Sequence, residues 1–253
     1  MTAAERMIAA SARLLEDNTT VFVGTGMPLL ASVLAQRLSA PGLLLIYEGG
    51  GVGGRPQGRL PIQVCESLTY RDGVYAGSMD YVMALGQAGM VDYGFLGAAQ
   101  IDPYGNLNTT VIGPWESPTV RLPGSGGGAD VASFAWRTII VMAQDRRKFT
   151  PRLDFMTSPG YLTGPGAREA HGLPAGTGPY RVVTQLGVYG FDPGTLRMEL
   201  LSAFEGVRVP EDIQAASGFE IPISRQFRRE GDPTAEELAA MHALDPAGVV
   251  LGG

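Results

Sequence analysis

Glu48 ends an apolar run, Leu43-Leu44-Leu45-Ile46-Tyr47, and precedes Gly49-Gly50-Gly51-Val52-Gly53-Gly54-Arg55-Pro56. An apolar run with turn residues on both sides reads as a buried strand. A carboxylate just past such a strand is poorly hydrated, and the glycines let backbone and ligand approach it closely. Under those conditions a carboxylate can attack a carbonyl and carry an acyl group covalently. The plainer reading of the same residue is a turn or cap in water.

Two more segments have residues suited to chemistry. In Gly124-Ser125-Gly126-Gly127-Gly128-Ala129-Asp130, backbone N–H groups before a helix converge on negative charge. A phosphate cradle, an oxyanion hole and a flexible turn all fit, but no Gly-Lys-Ser/Thr follows to make a nucleotide-binding P-loop. Gly24-Thr25-Gly26 lies between an expected strand and an expected helix, like the start of a dinucleotide fingerprint. Its third glycine is replaced by Leu29, yet Glu48 stands near the place of the ribose-binding acid. A nicotinamide enzyme is therefore a rival reading. His171 and His242 adjoin no Ser or Cys motif, and nothing has zinc-ligand spacing, so no metal site is expected.

The elements that must position these residues follow from local signals. Thr2-Ala3-Ala4-Glu5 is a capping box, and Ile8, Ala12 and Leu15 continue at helical spacing until Asp17-Asn18. Thr19 to Val23 predicts a strand, Gly24 to Pro28 a tight turn, Leu29 to Leu38 a helix and Leu43 to Tyr47 the next strand. Such a unit implies parallel pairing. Further along, a helix is expected over 79–88, strands over 91–98 and 107–112, and a turn at Asp102-Pro103-Tyr104-Gly105-Asn106. A short helix should run to Ala135 and a buried strand over 138–142. An irregular ordered loop is expected over 157–178, and a hairpin over 180–191. A last strand within 217–223 and a closing helix over 234–242, with Leu238, Met241 and Leu244 as its stripe, complete a single α/β domain, 1–253.

Composition limits the partners. With 45% apolar and 17% charged residues the chain can bury a core. A formal charge of −6 without a sustained basic run argues against nucleic acid. The one basic cluster, Arg146, Arg147, Lys148 and Arg152, reads as a solvated element end rather than a phosphate site. Cys65 is alone, no apolar stretch approaches the roughly 18 residues of a membrane span, and the start lacks signal-peptide order. A soluble cytoplasmic protein is expected.

In order along the chain, these segments resemble the β subunit of family I coenzyme A transferases, from about Thr19 to about Asp245. Gly24-Thr25-Gly26-Met27-Pro28-Leu29-Leu30-Ala31-Ser32 is similar to that subunit's first loop and helix. Glu48, Gly50, Gly53 and Pro56 stand where its Ser-Glu-Asn-Gly motif and following loop have Glu, glycines and proline. Gly97-Ala98-Ala99-Gln100-Ile101-Asp102-Pro103-Tyr104-Gly105-Asn106-Leu107-Asn108 resembles its hairpin, and Gly126-Gly127-Gly128-Ala129-Asp130 its oxyanion loop. Thr157-Ser158-Pro159-Gly160-Tyr161, Gly164-Pro165-Gly166 and Arg168 look like the glutaconate CoA-transferase branch of those β subunits. Tyr47 and Gly49 depart from the Ser and Asn of members acting on short 3-oxoacids.

The resemblance implies an α/β open-sheet fold of the CoA-transferase (NagB/RpiA-like) type, with mostly parallel strands and added hairpins. It implies a ping-pong transfer of CoA between an acyl-CoA and a carboxylic acid, a dicarboxylate such as glutaconate among them. Glu48 would be the covalent carrier, through a glutamyl-CoA thioester. Gly127 or Gly128 would donate to the oxyanion, and Gly24, Thr25, Gly26, Gly49, Gly50 and Gly126 would line the coenzyme A site. Coenzyme A is a substrate, with no tightly bound cofactor, and an α subunit completes a heterodimer or heterotetramer. Arg168 or Arg55 would hold a distal carboxylate or serve only at the surface. The glycines after Glu48 would act sterically, so that Gly50→Val blocks access without unfolding. An acyl-CoA hydrolase or decarboxylase on the same fold, and a non-catalytic ligand-binding or regulatory member, are the alternatives. Retention of Glu48 favours transfer.

Overall fold

The computed structural model describes residues 1–252. Contacts group the chain into two compact units, Met1–Phe95 with Asp232–Gly253, and Leu96–Gly231.

In the first unit, helix α1 (Ala3–Ala12) starts at the expected capping box. Thr2 Oγ1 accepts from Glu5 N at 3.2 Å, and Glu5 Oε2 accepts from Thr2 N at 2.5 Å. The helix stops at Ala12, short of the Asp17-Asn18 expected from the sequence. Strand β1 (Thr20–Val23) leads through Gly24 to Gly26 into α2 (Met27–Leu38), and β2 (Leu44–Tyr47) follows. β1 pairs in parallel with β2, Val21 opposite Leu45, as the strand-turn-helix-strand pattern requires. Next come two strands where the sequence pattern suggests open loop, β3 (Gly51–Val52) and β4 (Tyr75–Ala76). Each pairs antiparallel with its predecessor. Strands of two residues are too short for apolar alternation to betray them. Helix α3 (Met79–Gln87) and β5 (Tyr93–Leu96) close this stretch, β5 parallel to β1.

The chain's end returns to its beginning. The helix Ala235–Leu244 has a second capping box at Thr234 and buries Met241 and Leu244. His242 Nε2 lies 2.8 Å from Glu5 Oε1, and Arg13 Nη2 lies 2.6 Å from Glu237 Oε2. The Thr2 backbone N–H first, with His242 assisting, holds the Glu5 carboxyl below the usual glutamate range. A depressed carboxylate contributes stability above its unfolded pKa, about 4.3, and that contribution is lost as pH falls through the folded value. Glu5→Gln is therefore expected to melt a few degrees below the wild type at pH 7, with the gap closing below about pH 4 in a pH series of thermal melts. A gap that does not vary with pH would contradict this.

In the second unit, two short ribbons come first: β6 (Gln100–Ile101) with β7 (Leu107–Asn108), and β8 (Val111–Ile112) with β9 (Val120–Arg121). The continuous strand expected over 107–112 is broken in two. Asn108 interrupts it, because its buried side chain accepts from Thr110 N at 3.0 Å and donates to Val111 O at 2.7 Å, turning the backbone. The Asp102 turn is present, with Asp102 Oδ1 accepting from Tyr104 N and Asn106 N at 2.9 and 3.0 Å. Helix α4 (Gly128–Phe134) and β10 (Arg137–Val141) follow, then the one-turn α5 (Ala167–Ala170).

β11 (Pro179–Val183) runs parallel to β10 and forms the expected antiparallel hairpin with β12 (Gly187–Phe191). β13 (Met198–Ala203) adds antiparallel to β12 without a matching sequence signal, since consecutive apolar residues such as Leu200-Leu201 hide its alternation. The last strand is β14 (Ile223–Arg229), parallel to β13, rather than 217–223. Its mostly exposed residues Arg225-Gln226-Phe227-Arg228-Arg229 carry no core pattern, as befits an outer strand. Ile140, Val182, Tyr189 and Leu200 form this unit's core, with Phe149 and Ile213 packed beside them. The class is α/β with open-sheet pairing, parallel at β1–β2, β1–β5, β10–β11 and β13–β14 and extended by hairpins. Among the described residues no helix is long and apolar enough to cross a membrane.

Candidate active site

Glu48 sits at the tip of a tight turn. Gly50 N donates to Tyr47 O at 2.9 Å, which makes Glu48 the first central residue of a β-turn joining β2 to β3. It is half-buried, and among the described residues its carboxylate has no hydrogen bond or ion pair. Such a carboxylate is at liberty to meet a ligand. Tyr47, by contrast, is 1% exposed and belongs to the core under the turn, its hydroxyl without a partner and its phenol pushed up by burial.

The glycines after Glu48 are packed rather than open. A Cβ on Gly49 would lie 2.5 Å from the Val64 carbonyl oxygen and 2.9 Å from Cys65 Sγ. Gly50 has φ +109°, and its Cβ would overlap the Gly77 carbonyl oxygen. The expectation that Gly50→Val closes the site without harming the fold is thus corrected. Gly77 N donates to Gly50 O at 2.9 Å, and a side chain there drives these backbones apart. Gly50→Val is expected to cost roughly 3 kcal/mol or more in denaturant unfolding. A wild-type midpoint would refute that.

Gly24, Thr25 and Gly26 connect β1 to α2. Gly26 is the N-cap at φ +76°, with Pro28 in the first turn as expected. Thr25 and Gly26 open on a cleft of about 330 Å³ walled by Leu60, Ile62, Leu244 and Val250. Its apolar lining with a helix N-terminus at one end suits a ligand that is mostly apolar with one anionic group.

In the second unit the glycine loop is tied at its start, where Gly124 N donates to Thr109 O at 2.9 Å and Thr109 Oγ1 to Gly124 O at 2.8 Å. Gly128 N donates to Ser125 O at 2.8 Å, and Ala129 N to Ser125 Oγ at 3.0 Å. Gly127, the N-cap of α4, has no partner for its own N–H among the described residues. Of the two donors left open by the sequence, Gly127 is the one with a free amide. Gly126, at φ +49°, is exposed beside it.

Of the two arginines offered for a distal carboxylate, one is committed to the interior and the other lies at the surface. Arg168 is 3% exposed and turned inward, and burial pulls its guanidinium pKa down. Arg55 is exposed, with Nη2 donating to Pro41 O at 2.8 Å. The basic cluster is a solvated end, as expected, with Arg147 and Lys148 near Asp145. Sequence reasoning misses the short 3-10 helix Ser67–Tyr70 that braces the Glu48 turn. The Thr69 carbonyl lies against Gly51 and Gly54 and the Tyr70 hydroxyl bonds Gly49 O, and no pattern along the chain signals those contacts.

A half-buried carboxylate without a partner, on a turn at a strand end, is a group able to carry an acyl chain covalently. The coenzyme A transferase family model matches residues 4–214, and the chain belongs to that family, within it to the β-subunit type. It is 38% identical to the B subunit of 3-oxoadipate CoA-transferase of Pseudomonas knackmussii, over 95% of this chain and 92% of that one. It is 34% identical to the B subunit of glutaconate CoA-transferase of Acidaminococcus fermentans, over 96% and 92%. The crystal structure of glutaconate coenzyme A-transferase from Acidaminococcus fermentans superposes with a TM-score of 0.93 at 31% identity, covering 100% of this chain and 98% of that one.

Proposed function

We propose that this chain is the nucleophile-bearing β subunit of a heteromeric CoA-transferase, and that it acts on acyl-CoA esters of dicarboxylic acids. The observation that carries the reading is the Glu48 carboxylate, itself unpaired on a turn whose carbonyls at Tyr47 and Gly49 both accept hydrogen bonds. The two relatives named for 3-oxoadipate and glutaconate support the dicarboxylate class. The likeness to the B subunits of those two enzymes supports an α-subunit partner.

One carboxylate oxygen of Glu48 attacks the donor thioester carbonyl, and the C–S bond breaks to give a mixed anhydride and CoA thiolate. The thiolate then attacks the glutamyl carbonyl and displaces the donor carboxylate, leaving a glutamyl-CoA thioester. An acceptor carboxylate attacks that thioester and runs the sequence in reverse, regenerating Glu48 and releasing the new acyl-CoA. No proton changes hands, which suits a site without a paired histidine. A free backbone N–H, such as that of Gly127, is worth about 3–4 kcal/mol to a tetrahedral oxyanion that meets it. Binding of the long CoA tail would place and dehydrate the reacting carboxylate.

The test is mass spectrometry of the chain co-expressed with its α partner and incubated with glutaconyl-CoA or 3-oxoadipyl-CoA. A CoA adduct on the peptide containing Glu48, removed by adding free acid, is expected. Turnover without any adduct on that peptide under rapid quench would overturn the reading.

A further inference from the structure

The Glu48 turn has glycine at both of its last two positions, Gly49 and Gly50, so the peptide between them would rotate freely if nothing held it. Its N–H end is taken by Tyr47 O at 2.9 Å. Its carbonyl end, Gly49 O, accepts from Tyr70 Oη at 2.7 Å. Tyr70 is delivered to this point by a braced element. It ends the 3-10 helix Ser67–Tyr70, in which fully buried Thr69 donates from N and Oγ1 to Glu66 O at 2.9 and 2.7 Å. Glu66 in turn accepts from Ile62 N at 2.8 Å and pairs with Arg59.

We propose that Tyr70 is a positioning residue for Glu48: its hydroxyl locks the Gly49–Gly50 peptide and thereby the direction in which the Glu48 carboxylate leaves the turn. The role rests on Glu48 being the covalent carrier. Attack on a thioester demands alignment to a fraction of an ångström, and loss of such alignment slows reaction by as much as about 10²-fold. The phenol touches neither acyl group nor CoA in this scheme. Its effect therefore falls on the rate of acylation and not on binding.

The experiment compares Tyr70→Phe with wild type in the assembled two-subunit enzyme, at a temperature where both are folded. The ring stays and only the hydroxyl goes. With acyl-CoA as the probe, the expected result is kcat lower by about tenfold to hundredfold and KM within about twofold. Under rapid quench, the Glu48 adduct should form more slowly by the same factor yet reach full stoichiometry. Adduct formation at the wild-type rate overturns the proposal. So does a reduced final stoichiometry at an unchanged rate, which is the signature of a part-unfolded enzyme. Should the wild type itself form no adduct on Glu48, the carrier reading fails instead, whatever Tyr70→Phe does.

Discussion

Glu48→Ala in the enzyme assembled with its partner is expected to lose CoA transfer by a factor on the order of 10⁴ or more, while melting at the wild-type temperature. The two halves of that outcome have separate causes. The turn is held by backbone bonds, Gly50 N to Tyr47 O and Gly53 N to Leu45 O, at 2.9 and 2.7 Å, and by Tyr70 on Gly49. The Glu48 side chain contributes to none of them, so its removal leaves the hairpin intact. Catalysis by the proposed route, in contrast, would have no substitute nucleophile, because without its carrier that route is replaced only by direct attack on the thioester. Steady-state transfer assays and thermal melts on the same preparation check both halves. Activity within tenfold of wild type would remove Glu48 from the mechanism. A large fall in melting temperature would instead make it a structural residue.

Arg168→Ala is expected to destabilise the protein by about 3–5 kcal/mol, the cost of leaving several buried acceptors unpaired. Its guanidinium donates from Nη1 to Pro159 O and Gly160 O at 3.2 and 2.8 Å. From Nη2 it donates to Ala132 O, Ser133 O and Thr177 Oγ1 at 3.1, 3.4 and 2.8 Å. Ala132 and Ser133 lie in the last turn of α4, where carbonyls lack intrahelical partners and a cation is favoured. One side chain thus fastens that helix end to the loop over 157–178. Lysine lacks the planar fork needed to span these acceptors, so Arg168→Lys should recover little. Urea unfolding gives the midpoint shift. If Arg168→Ala unfolds like wild type but needs far more dicarboxylate to saturate, the arginine belongs to the substrate after all.

Both results bear on how far the chain can be read without coordinates. The capping box at Thr2, the closing helix, the run from β1 through α2 to β2, and the β11–β12 hairpin are legible because each rests on residues a few positions apart. The placing of Glu48 at a strand end follows from the same local logic, and so does the glycine loop that opens α4. Short-range pattern is what backbone hydrogen bonding and side-chain periodicity write into a sequence. The strands β3, β4 and β14 escape it, the first two because two residues are too few to show a period and β14 because its residues are mostly exposed.

The coenzyme A transferase family, and the place of Glu48 at a strand end, were therefore legible in the sequence alone. What its surroundings do was decided only by tertiary structure. Gly49 and Gly50 are glycines because the carbonyls of Val64 and Gly77 press on them. Gly127 rather than Gly128 keeps a free amide because the Ser125 carbonyl bends back to take the other. Arg168 faces inward because the acceptors it needs lie as far away in sequence as Ala132, and Tyr70 reaches Gly49 across 21 positions. Contacts of that kind are chosen by how elements pack together, and a residue's type and neighbours along the chain cannot specify which distant atom it will meet.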